Sequence, residues 1–465
     1  MEDVIDPRPP RRNPASEIIT SGGIWKAVWF VAWPTAVNTL ILSAYNVINR
    51  LFVGRLPNAE EALAAVGVGG AALMVQFALT FGISVGASAL VARFVGAEQY
   101  EDADRATGQS LGLAAAVGVI SAAPLILFAR PIVEGIGALG PVAVLATDYT
   151  VIIAWFSLPL FLYFIAQAAL RSAGDVRSPL YAGAATVAVN TVLDWILIFG
   201  VGPFPMLGVR GAAIATGASR VVGLAVSLEF LRRSVLRGSL RRMRPKYDWY
   251  ARILRIGWPA VLQNLVWTVA NVGFLRILGF LPAGEATPAI AALTVGIAIE
   301  SVAFMPGIAY STAATPLVGQ NLGARKPDRA AHAAWVATGQ AVFIMSSIAV
   351  LFFLAPKWLA TMFTTERSVV PMIVSYLRIN AVSEPFLALG MVLRGALQGA
   401  GETRIPFWLT VLSLLVIRMP LAWWLAVPVG LGAAGAWIAM CASTILSGLL
   451  VTAYFVTGRW REVKV

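Results

Sequence analysis

The segment RSAGDVRSP, at residues 171–179, returns 227 residues later as QGAGETRIP, at residues 398–406. Three further pairs of segments keep this order and nearly this spacing: Gly96-Ala97 with Gly323-Ala324, Trp33-Pro34 with Trp258-Pro259, and LGVRGAAIA (207–215) with LGAAGAWIA (431–439). Matches in one order at nearly the same offset indicate an internal duplication. The members of each pair fall at the same end of corresponding helices, which predicts two parallel repeats about an axis along the membrane normal.

The composition places this duplicated chain in a membrane. Of its 465 residues, 58% are hydrophobic and only 12% are charged, and the mean hydropathy is +0.78. Soluble domains carry about 25% charged residues, so a water-facing surface cannot be built from this chain and soluble enzyme folds are excluded. Helices are expected throughout, because unpaired backbone groups are too costly in hydrocarbon.

Apolar windows long enough to cross a bilayer core of about 30 Å predict an all-α polytopic membrane protein with twelve transmembrane helices in two six-helix repeats. The predicted spans are 25–53, 62–92, 106–130, 141–169, 180–200, 209–231, 253–281, 288–318, 331–355, 370–393, 406–427 and 431–457. The corresponding organisation is a tail (1–23), an N-lobe (24–231), a basic linker (232–252), a C-lobe (253–457) and a second tail (458–465).

Basic residues predict the orientation of these spans. Segments on one side hold 24 Lys and Arg residues, whereas the opposite side holds four: Arg55, Arg130, Lys357 and Arg367. Because cytoplasmic loops are enriched in Lys and Arg, both termini are predicted to be cytoplasmic. The net charge of +12 is then a topology signal and not a nucleic-acid footprint, although residues 231–255 also suit anionic lipid. No cleavable signal is visible in the polar first 23 residues, so the first span is expected to act as an anchor.

The chain lacks the residues needed for disulfide bonds, for Cys/His metal sites and for ATP binding. Cys441 and His332 are the only cysteine and histidine, which excludes a disulfide framework and a Cys/His metal cluster. None of the five lysines follows a glycine, so the phosphate-binding loop of ATPases is missing. We therefore expect neither an enzyme nor a resident cofactor, and energy for any work must come from a source other than ATP.

Four stretches resemble the signatures of the multidrug and toxic compound extrusion (MATE) family: LVGQNLGARKPDRA (317–330), LRGALQGAGETRIP (393–406), LRSAGDVRSP (170–179), and LFVGRL (51–56) after Trp33-Pro34. The similarity covers nearly the whole chain after residue 20. It implies a secondary antiporter that exports organic, often cationic, compounds in exchange for H⁺ or Na⁺ by alternating access.

Asp194 is the clearest candidate for a coupling residue. It lies in the fifth span within VAVNTVLDWILIFG (187–200), and Asn190 is one helical turn earlier on the same face. A carboxylate in the bilayer costs about 2.5 to 3.5 kcal/mol even on the mild insertion scale, so a functional role is the default hypothesis. The alternative is an Asp that only ties the fifth helix to its neighbours by hydrogen bonds.

The MATE resemblance implies further residues for this site, but the chain differs from the family pattern at one of them. Relatives join an Asp of the first helix to the Asn and Asp that match Asn190 and Asp194, but this chain has Asn49 at the first-helix position. An amide cannot change charge, so a pair of titratable carboxylates is reduced to one carrier. Tyr45 and Thr216 resemble other polar positions of the family site.

Two prolines lie inside predicted spans at equivalent places of the repeat. A proline within a helix removes a backbone hydrogen bond and favours a bend. In the family the first-helix proline is associated with bending during transport, so Pro34 is predicted to be a hinge. For Pro259 a fixed kink is an equal alternative.

The C-terminal half offers a second candidate site at Glu300 and Gln263. The seventh- and tenth-helix acids that define a C-lobe sodium site in the NorM branch of the family have no equivalents in this chain. Arg276 or Arg378 is expected to neutralise Glu300 or Glu384 as a buried pair, since isolated charges are not tolerated there. A structural pair and a coupling role remain equal alternatives for these acids.

Aromatic side chains are mostly expected at membrane interfaces and in packing. Five are candidates to line a cavity and to hold a flat cation through their ring faces: Trp155, Trp195, Trp267, Phe77 and Phe81.

The sequence thus predicts a monomeric exporter of small organic compounds in the cytoplasmic membrane, in contact with membrane lipid and with no nucleic-acid partner. Protons are favoured over Na⁺, because the loss of an acid at Asn49 leaves fewer charged oxygen ligands for a metal cation. One alternative is a flippase for lipid-linked saccharides or other amphiphiles, which would favour a cationic groove between the lobes. Another is a receptor or scaffold that transports nothing and needs no titratable group in the membrane.

Overall fold

The computed structural model describes residues 13–463, and helices make up nearly all of this part of the chain. Residues 1–12 of the predicted first tail and 464–465 of the second lie outside the described residues. The helices are α1 (Pro14–Ser21), α2 (Ile24–Val53), α3 (Ala59–Ala72), α4 (Met74–Gly96), α5 (Tyr100–Leu127), α6 (Ala129–Ile136), α7 (Gly140–Trp155), α8 (Ser157–Ser172), α9 (Arg177–Phe199), α10 (Val209–Arg233), α11 (Tyr247–Gly279), α12 (Ala283–Gly323), α13 (Pro327–Leu354), α14 (Pro356–Thr361), α15 (Val370–Ala381), α16 (Glu384–Ala400), α17 (Arg404–Val411), α18 (Met419–Ala426) and α19 (Gly432–Val456).

These helices confirm the prediction of a polytopic all-α protein. Ten are long and apolar enough to cross a membrane when α17, the π-helical segment Leu412–Arg418 and α18 are taken as one, and the bent pair of α7 and α8 makes an eleventh span. The helices α15 and α16 together cover the tenth predicted span, at 370–393, and continue to Ala400. The twelve-helix, two-repeat fold therefore fits the described part of the chain.

Three predicted spans are interrupted where the sequence pattern indicated continuous helices. The fourth bends by 57° between α7 and α8, and the tenth breaks between α15 and α16. Pro159 and Pro385 lie in the first turn of the second helix in each case, where proline is tolerated but does not continue a preceding helix. The second span breaks at Leu73, after a glycine-rich stretch of α3 that weakens the helix.

The first span of each lobe packs against the opposite lobe. Val28 and Val31 of α2 are buried in a hydrophobic cluster formed mainly by C-lobe helices, and Ile253 and Ile256 of α11 are buried in a cluster of N-lobe helices. The two lobes are thus joined through α2 and α11, so a movement of either helix is transmitted to both lobes.

The lobes meet most closely at the end that carries the basic loops 93–105, 171–178 and 325–329, called here the basic end. A β-carbon on Gly96 would lie 2.0 Å from the backbone oxygen of Gln320. Gly96 and its repeat-related partner Gly323 belong to the repeated Gly-Ala segments. The repeat therefore places its smallest residues where the backbones of the two lobes cross.

Further hydrogen bonds close the basic end. Gln320 Nε2 of the C-lobe donates to the Ser172 carbonyl of the N-lobe at 2.8 Å. The short helix α1 covers this contact, since the side-chain amide of Asn13 donates to the Ala173 carbonyl at 2.8 Å. The structure is therefore closed between the lobes at this end.

The connection between the lobes is docked on α5. The side chain of Gln109 donates to the carbonyls of Arg242 and Arg244 at 2.7 and 2.6 Å and accepts from the Lys246 backbone N–H at 2.9 Å. The seventh span begins at Tyr247, earlier than the predicted start at 253, because the helical pattern continues into the polar end of the linker. The linker is therefore ordered and packs along the N-lobe.

Candidate functional site

Two residues of α9 form the centre of a polar cluster in the N-lobe. Asn190 and Asp194 are both 0% exposed. With the Asn190 amide oriented so that both of its ends are satisfied, its nitrogen donates to Asp194 Oδ2 at 2.7 Å and its oxygen accepts from the Thr216 backbone N–H at 3.2 Å. The i to i+4 spacing expected from the sequence thus brings the amide and the carboxyl into direct contact.

Tyr45 of α2 joins this cluster through α10. Its hydroxyl lies 3.1 Å from the hydroxyl of Thr216, the residue whose backbone contacts Asn190. Asn49, one turn further along α2, is buried at 9% exposure, and its side chain makes no hydrogen bond within residues 13–463. We call Tyr45, Asn190, Asp194 and Thr216 the N-lobe polar cluster, and the structure brings these four predicted residues together.

The carboxyl of Asp194 is only half satisfied. Oδ1 has no hydrogen-bond partner among the described residues, and no basic side chain of that part of the chain forms an ion pair with Asp194. A buried carboxylate without a compensating cation or donor is unfavourable, whereas a proton on the carboxyl removes the charge. Burial is therefore the dominant electrostatic influence on this group.

Arg220 was not identified from the sequence, although it lies in the sixth span one turn after Thr216. It is 9% exposed, and its guanidinium lies over the rings of Tyr45, Tyr163 and Phe164 at 5.5, 5.3 and 5.6 Å. Its Nε and Nη1 make no hydrogen bond to any described residue. The sequence could have identified Arg220, because a charged residue within a predicted membrane span indicates a functional role, as it does for Asp194.

The C-lobe holds two buried acids close to one another, Glu300 of α12 and Glu384 at the start of α16, which we call the acidic pair. Glu300 accepts a hydrogen bond from the Tyr376 hydroxyl. The two carboxyls are within hydrogen-bonding reach of each other, yet both Glu384 oxygens lack a donor in the described structure. Since two carboxylates cannot donate, a bond between them requires a proton on one.

The basic neighbour of the acidic pair differs from the prediction. Arg276 and Arg378, expected to neutralise it, are exposed side chains on the outer faces of α11 and α15, so that pairing was wrong. Arg418 of the π-helical segment is buried and interacts electrostatically with Glu300. The guanidinium of Arg418 donates to Ser443 Oγ at 2.8 Å and to Thr444 Oγ1 at 2.9 Å, so α19 holds it in place. Sequence spacing alone could not decide which arginine lies near the acidic pair, because the arginines are on different helices.

Gln263 lies apart from the acidic pair. Its side-chain amide donates to Thr410 Oγ1 at 2.8 Å, and the residue lines a cavity of about 530 Å³ between the lobes, called here the central cavity. Glu300 is not among the lining residues of that cavity. The two predicted members of the C-lobe site are thus separated in the structure.

Three of the five aromatic candidates line the central cavity: Phe77, Phe81 and Trp267. Trp155 and Trp195 are not lining residues and are 71% and 52% exposed, which is typical of an outer surface. Asp194 does not line the cavity either. Any exchange between Asp194 and the cavity therefore needs a conformational change.

Pro34 and Pro259 both lie inside continuous helices. Pro34 is buried within α2, between the part that packs on the C-lobe and the part that carries Tyr45 and Asn49. Pro259 has the equivalent place in α11. A bend of α2 at Pro34 would move Tyr45 relative to Thr216, which connects the predicted hinge to the N-lobe polar cluster.

Comparison with known proteins identifies the family of this chain. A family model described as MatE matches residues 34–196 and 259–424, one match in each half of the chain. The probable multidrug resistance protein NorM of Thermotoga maritima is 29% identical over 441 residues, covering 93% of this chain and 92% of that protein. The FAD transporter of Shewanella oneidensis is 27% identical over 411 residues, covering 87% and 88%.

A solved structure shares the fold. An outward-facing multidrug resistance MATE family transporter of the MOP superfamily superimposes with a TM-score of 0.89 at 24% identity, covering 98% of this chain and 100% of that one. The chain therefore belongs to the MATE family and is a multi-pass membrane transporter of small compounds, not an enzyme.

Proposed function

We propose that this transporter is a secondary antiporter that exports organic compounds, drugs among them, in exchange for protons by alternating access. It needs no cofactor. The relative named a multidrug resistance protein and the relative named an FAD transporter support efflux of bulky organic compounds. We place the transporter in the cytoplasmic membrane as a monomer surrounded by lipid, with both termini cytoplasmic, because the basic loops lie at one end of the lobes.

The observation that carries this proposal is a fully buried carboxyl, Asp194, that has no basic partner among residues 13–463 and is linked through Thr216 to Tyr45 of the proline-containing helix α2. Protonation makes the carboxyl neutral and compatible with its apolar surroundings, and deprotonation favours access to water. A change at Asp194 can thus alter the contact between α9, α10 and α2, and a bend of α2 at Pro34 can alter access to Asp194.

Protons fit this cluster better than Na⁺. Hard metal cations need several oxygen ligands, and carboxylates contribute most of the binding. The cluster has one carboxylate because residue 49 is Asn, and the Asn190 oxygen is already engaged by the Thr216 backbone. One charge crossing 100 mV is worth about 2.3 kcal/mol, enough for a gradient of about fiftyfold, so one carrier suffices.

A flippase for a lipid-linked saccharide or another amphiphile is the second candidate. The observation that favours it is the presence of two arginines, Arg171 and Arg394, in the central cavity between the lobes. Such a protein would move its substrate in the absence of an ion gradient, and Asp194 would have no coupling role.

The test compares the wild type with Asp194→Asn in proteoliposomes under an imposed pH gradient or an imposed Na⁺ gradient. The readout is accumulation of rhodamine 6G and of carboxyfluorescein against their concentration gradients. We expect the pH gradient to drive accumulation in the wild type and Asp194→Asn to abolish it, while protein yield and thermal stability stay close to wild type.

Asp148→Asn is the matched control, since Asp148 lies in the same lobe but forms a surface ion pair with Arg210 at 2.8 Å. Surface pairs contribute little, so this variant should transport normally. Accumulation driven by Na⁺ alone would exclude the proton, and unchanged accumulation in Asp194→Asn would exclude Asp194 as the carrier.

A further inference from the structure

The central cavity has a one-sided charge. Its 22 lining residues include two arginines, Arg171 of α8 and Arg394 of α16, and no Asp, Glu, Lys or His. The buried carboxyls among residues 13–463 are those of Asp104, Asp194, Glu300 and Glu384, and all four are outside this lining. The electrostatic potential in the space between the lobes is therefore positive, the opposite of what a cation-binding cavity requires.

The two arginines occupy exchanged positions of the repeat. In the N-lobe Gln167 precedes Arg171 by one turn, and 227 residues later Arg394 precedes Gln398 by one turn. Each lobe thus carries one arginine and one glutamine on the last turns of the helix that follows the break in its fourth span, α8 in the N-lobe and α16 in the C-lobe, in opposite order. One positive charge comes from each side of the space between the lobes.

Neither arginine has an acidic partner in the part of the chain that the structure describes. Arg171 Nη1 donates to Gln167 Oε1 at 3.4 Å, and Arg394 Nη1 donates to Ser447 Oγ at 3.2 Å. No carboxylate of residues 13–463 forms an ion pair with either. Charges removed from water are stable when a counter-ion and additional hydrogen bonds satisfy them, so the remaining guanidinium donors are available to an anion.

The rest of the lining combines hydroxyls with aromatic rings. Hydroxyl groups that can donate to an anion come from both lobes: Ser84, Ser88, Ser311 and Thr312. Aromatic side chains cover other parts of the wall: Phe77, Phe81, Phe164, Trp267 and Phe304. A volume of about 530 Å³ is typical of sites for drug-sized compounds.

We infer that the central cavity binds an aromatic organic anion, whose carboxylate or phosphate group lies between Arg171 and Arg394 and whose flat ring system packs against the aromatic wall. This inference rests on the proposed export function and names its substrate class. It differs from the cationic preference that family resemblance implies. Planar guanidinium groups bind carboxylates and phosphates in a bidentate manner, which favours these two anions.

Two dyes with the same ring system test this inference at equilibrium, with no gradient. Carboxyfluorescein and rhodamine 6G share a xanthene core but are anionic and cationic, respectively. Binding to the purified full-length protein in a neutral detergent is followed by fluorescence polarisation. We expect carboxyfluorescein to bind more tightly than rhodamine 6G, and Arg171→Gln/Arg394→Gln to weaken carboxyfluorescein binding by at least about tenfold.

Charge and folding are controlled separately. Arg171→Lys/Arg394→Lys keeps both charges and should retain most of the binding, whereas Arg276→Gln removes an exposed arginine of α11 and should change nothing. Melting temperature and gel filtration show whether each variant is folded. If the glutamine double variant does not fold, the single variants Arg171→Gln and Arg394→Gln, each expected to bind several-fold more weakly, decide the question.

Three results would overturn the inference: tighter binding of rhodamine 6G, unchanged carboxyfluorescein binding in the folded glutamine variants, or binding of phosphatidylglycerol without binding of carboxyfluorescein. The last result would assign the arginines to a lipid headgroup. Asp148→Asn, a change in a surface ion pair outside the cavity, should bind carboxyfluorescein like the wild type. A failure of proton coupling and a failure of anion binding are thus observed in different variants and different assays.

Discussion

Gly96 of α4 and Gln320 of α12 meet backbone to backbone at the basic end, where a β-carbon on Gly96 would lie 2.0 Å from the Gln320 carbonyl oxygen. The repeat-related contact is equally close, since a β-carbon on Gly323 would lie 2.0 Å from the Arg93 carbonyl oxygen. Both contacts oppose backbone atoms, which cannot rotate away. The closed state at this end therefore depends on the absence of two side chains.

Gly96→Ala is accordingly expected to disfavour the closure of the basic end. Overpacking of this kind costs about 1–3 kcal/mol, and the lobes must separate to relieve it. We expect a lower melting temperature in detergent and faster labelling by a thiol reagent of a cysteine introduced at Ser172. Gly339→Ala is the control, because a β-carbon there has no atom within 4 Å. Equal melting and labelling in the two variants would contradict this account of the closure.

Asn49→Asp is expected to add a second proton carrier to the N-lobe polar cluster. Asn49 is buried on α2 one turn from Tyr45, which contacts the cluster through Thr216. Interacting carboxyls titrate as a pair, so the dependence of transport on pH should steepen from about one proton per cycle towards two. The measurement is the logarithm of the transport rate against pH in proteoliposomes.

The control for this change is Asn58→Asp, which adds the same carboxylate at an exposed position before α3. Its pH dependence should equal that of the wild type. An unaltered slope in a folded Asn49→Asp variant would show that residue 49 has no access to the proton pathway.

Arg418→Met is expected to destabilise the C-lobe strongly. The change removes the buried guanidinium that interacts with Glu300 and leaves Ser443 and Thr444 without their donors. Breaking one side of a buried charged arrangement costs about 3–5 kcal/mol, measurable as a lower melting temperature. Arg378→Met, at an exposed position of α15, should cost less than about 1 kcal/mol. A larger loss of stability in Arg378→Met than in Arg418→Met would instead identify Arg378 as the partner of the acidic pair.

Much of the fold follows from local patterns. Apolar runs between Ile24 and Val456 predicted each span, because a helix in a bilayer must satisfy its own backbone and is long enough to recognise. The breaks at Phe156 and between Ala381 and Glu384 were not predicted. Pro159 and Pro385 do not require a bend, and packing around them decides whether a helix ends there.

The candidate site, like the fold, was predicted only in part from the sequence. The sequence by itself determined the buried Asp194 and its neighbour Asn190, because a charge in an apolar span and an i, i+4 spacing are local properties. Only the tertiary structure decided that Tyr45 and Thr216 meet, that Arg418 and not Arg276 or Arg378 faces Glu300, and that Arg171 and Arg394 share one cavity. Residues more than a hundred positions apart are brought together by helix packing, and hydropathy along the chain contains no information about which faces of two helices will meet.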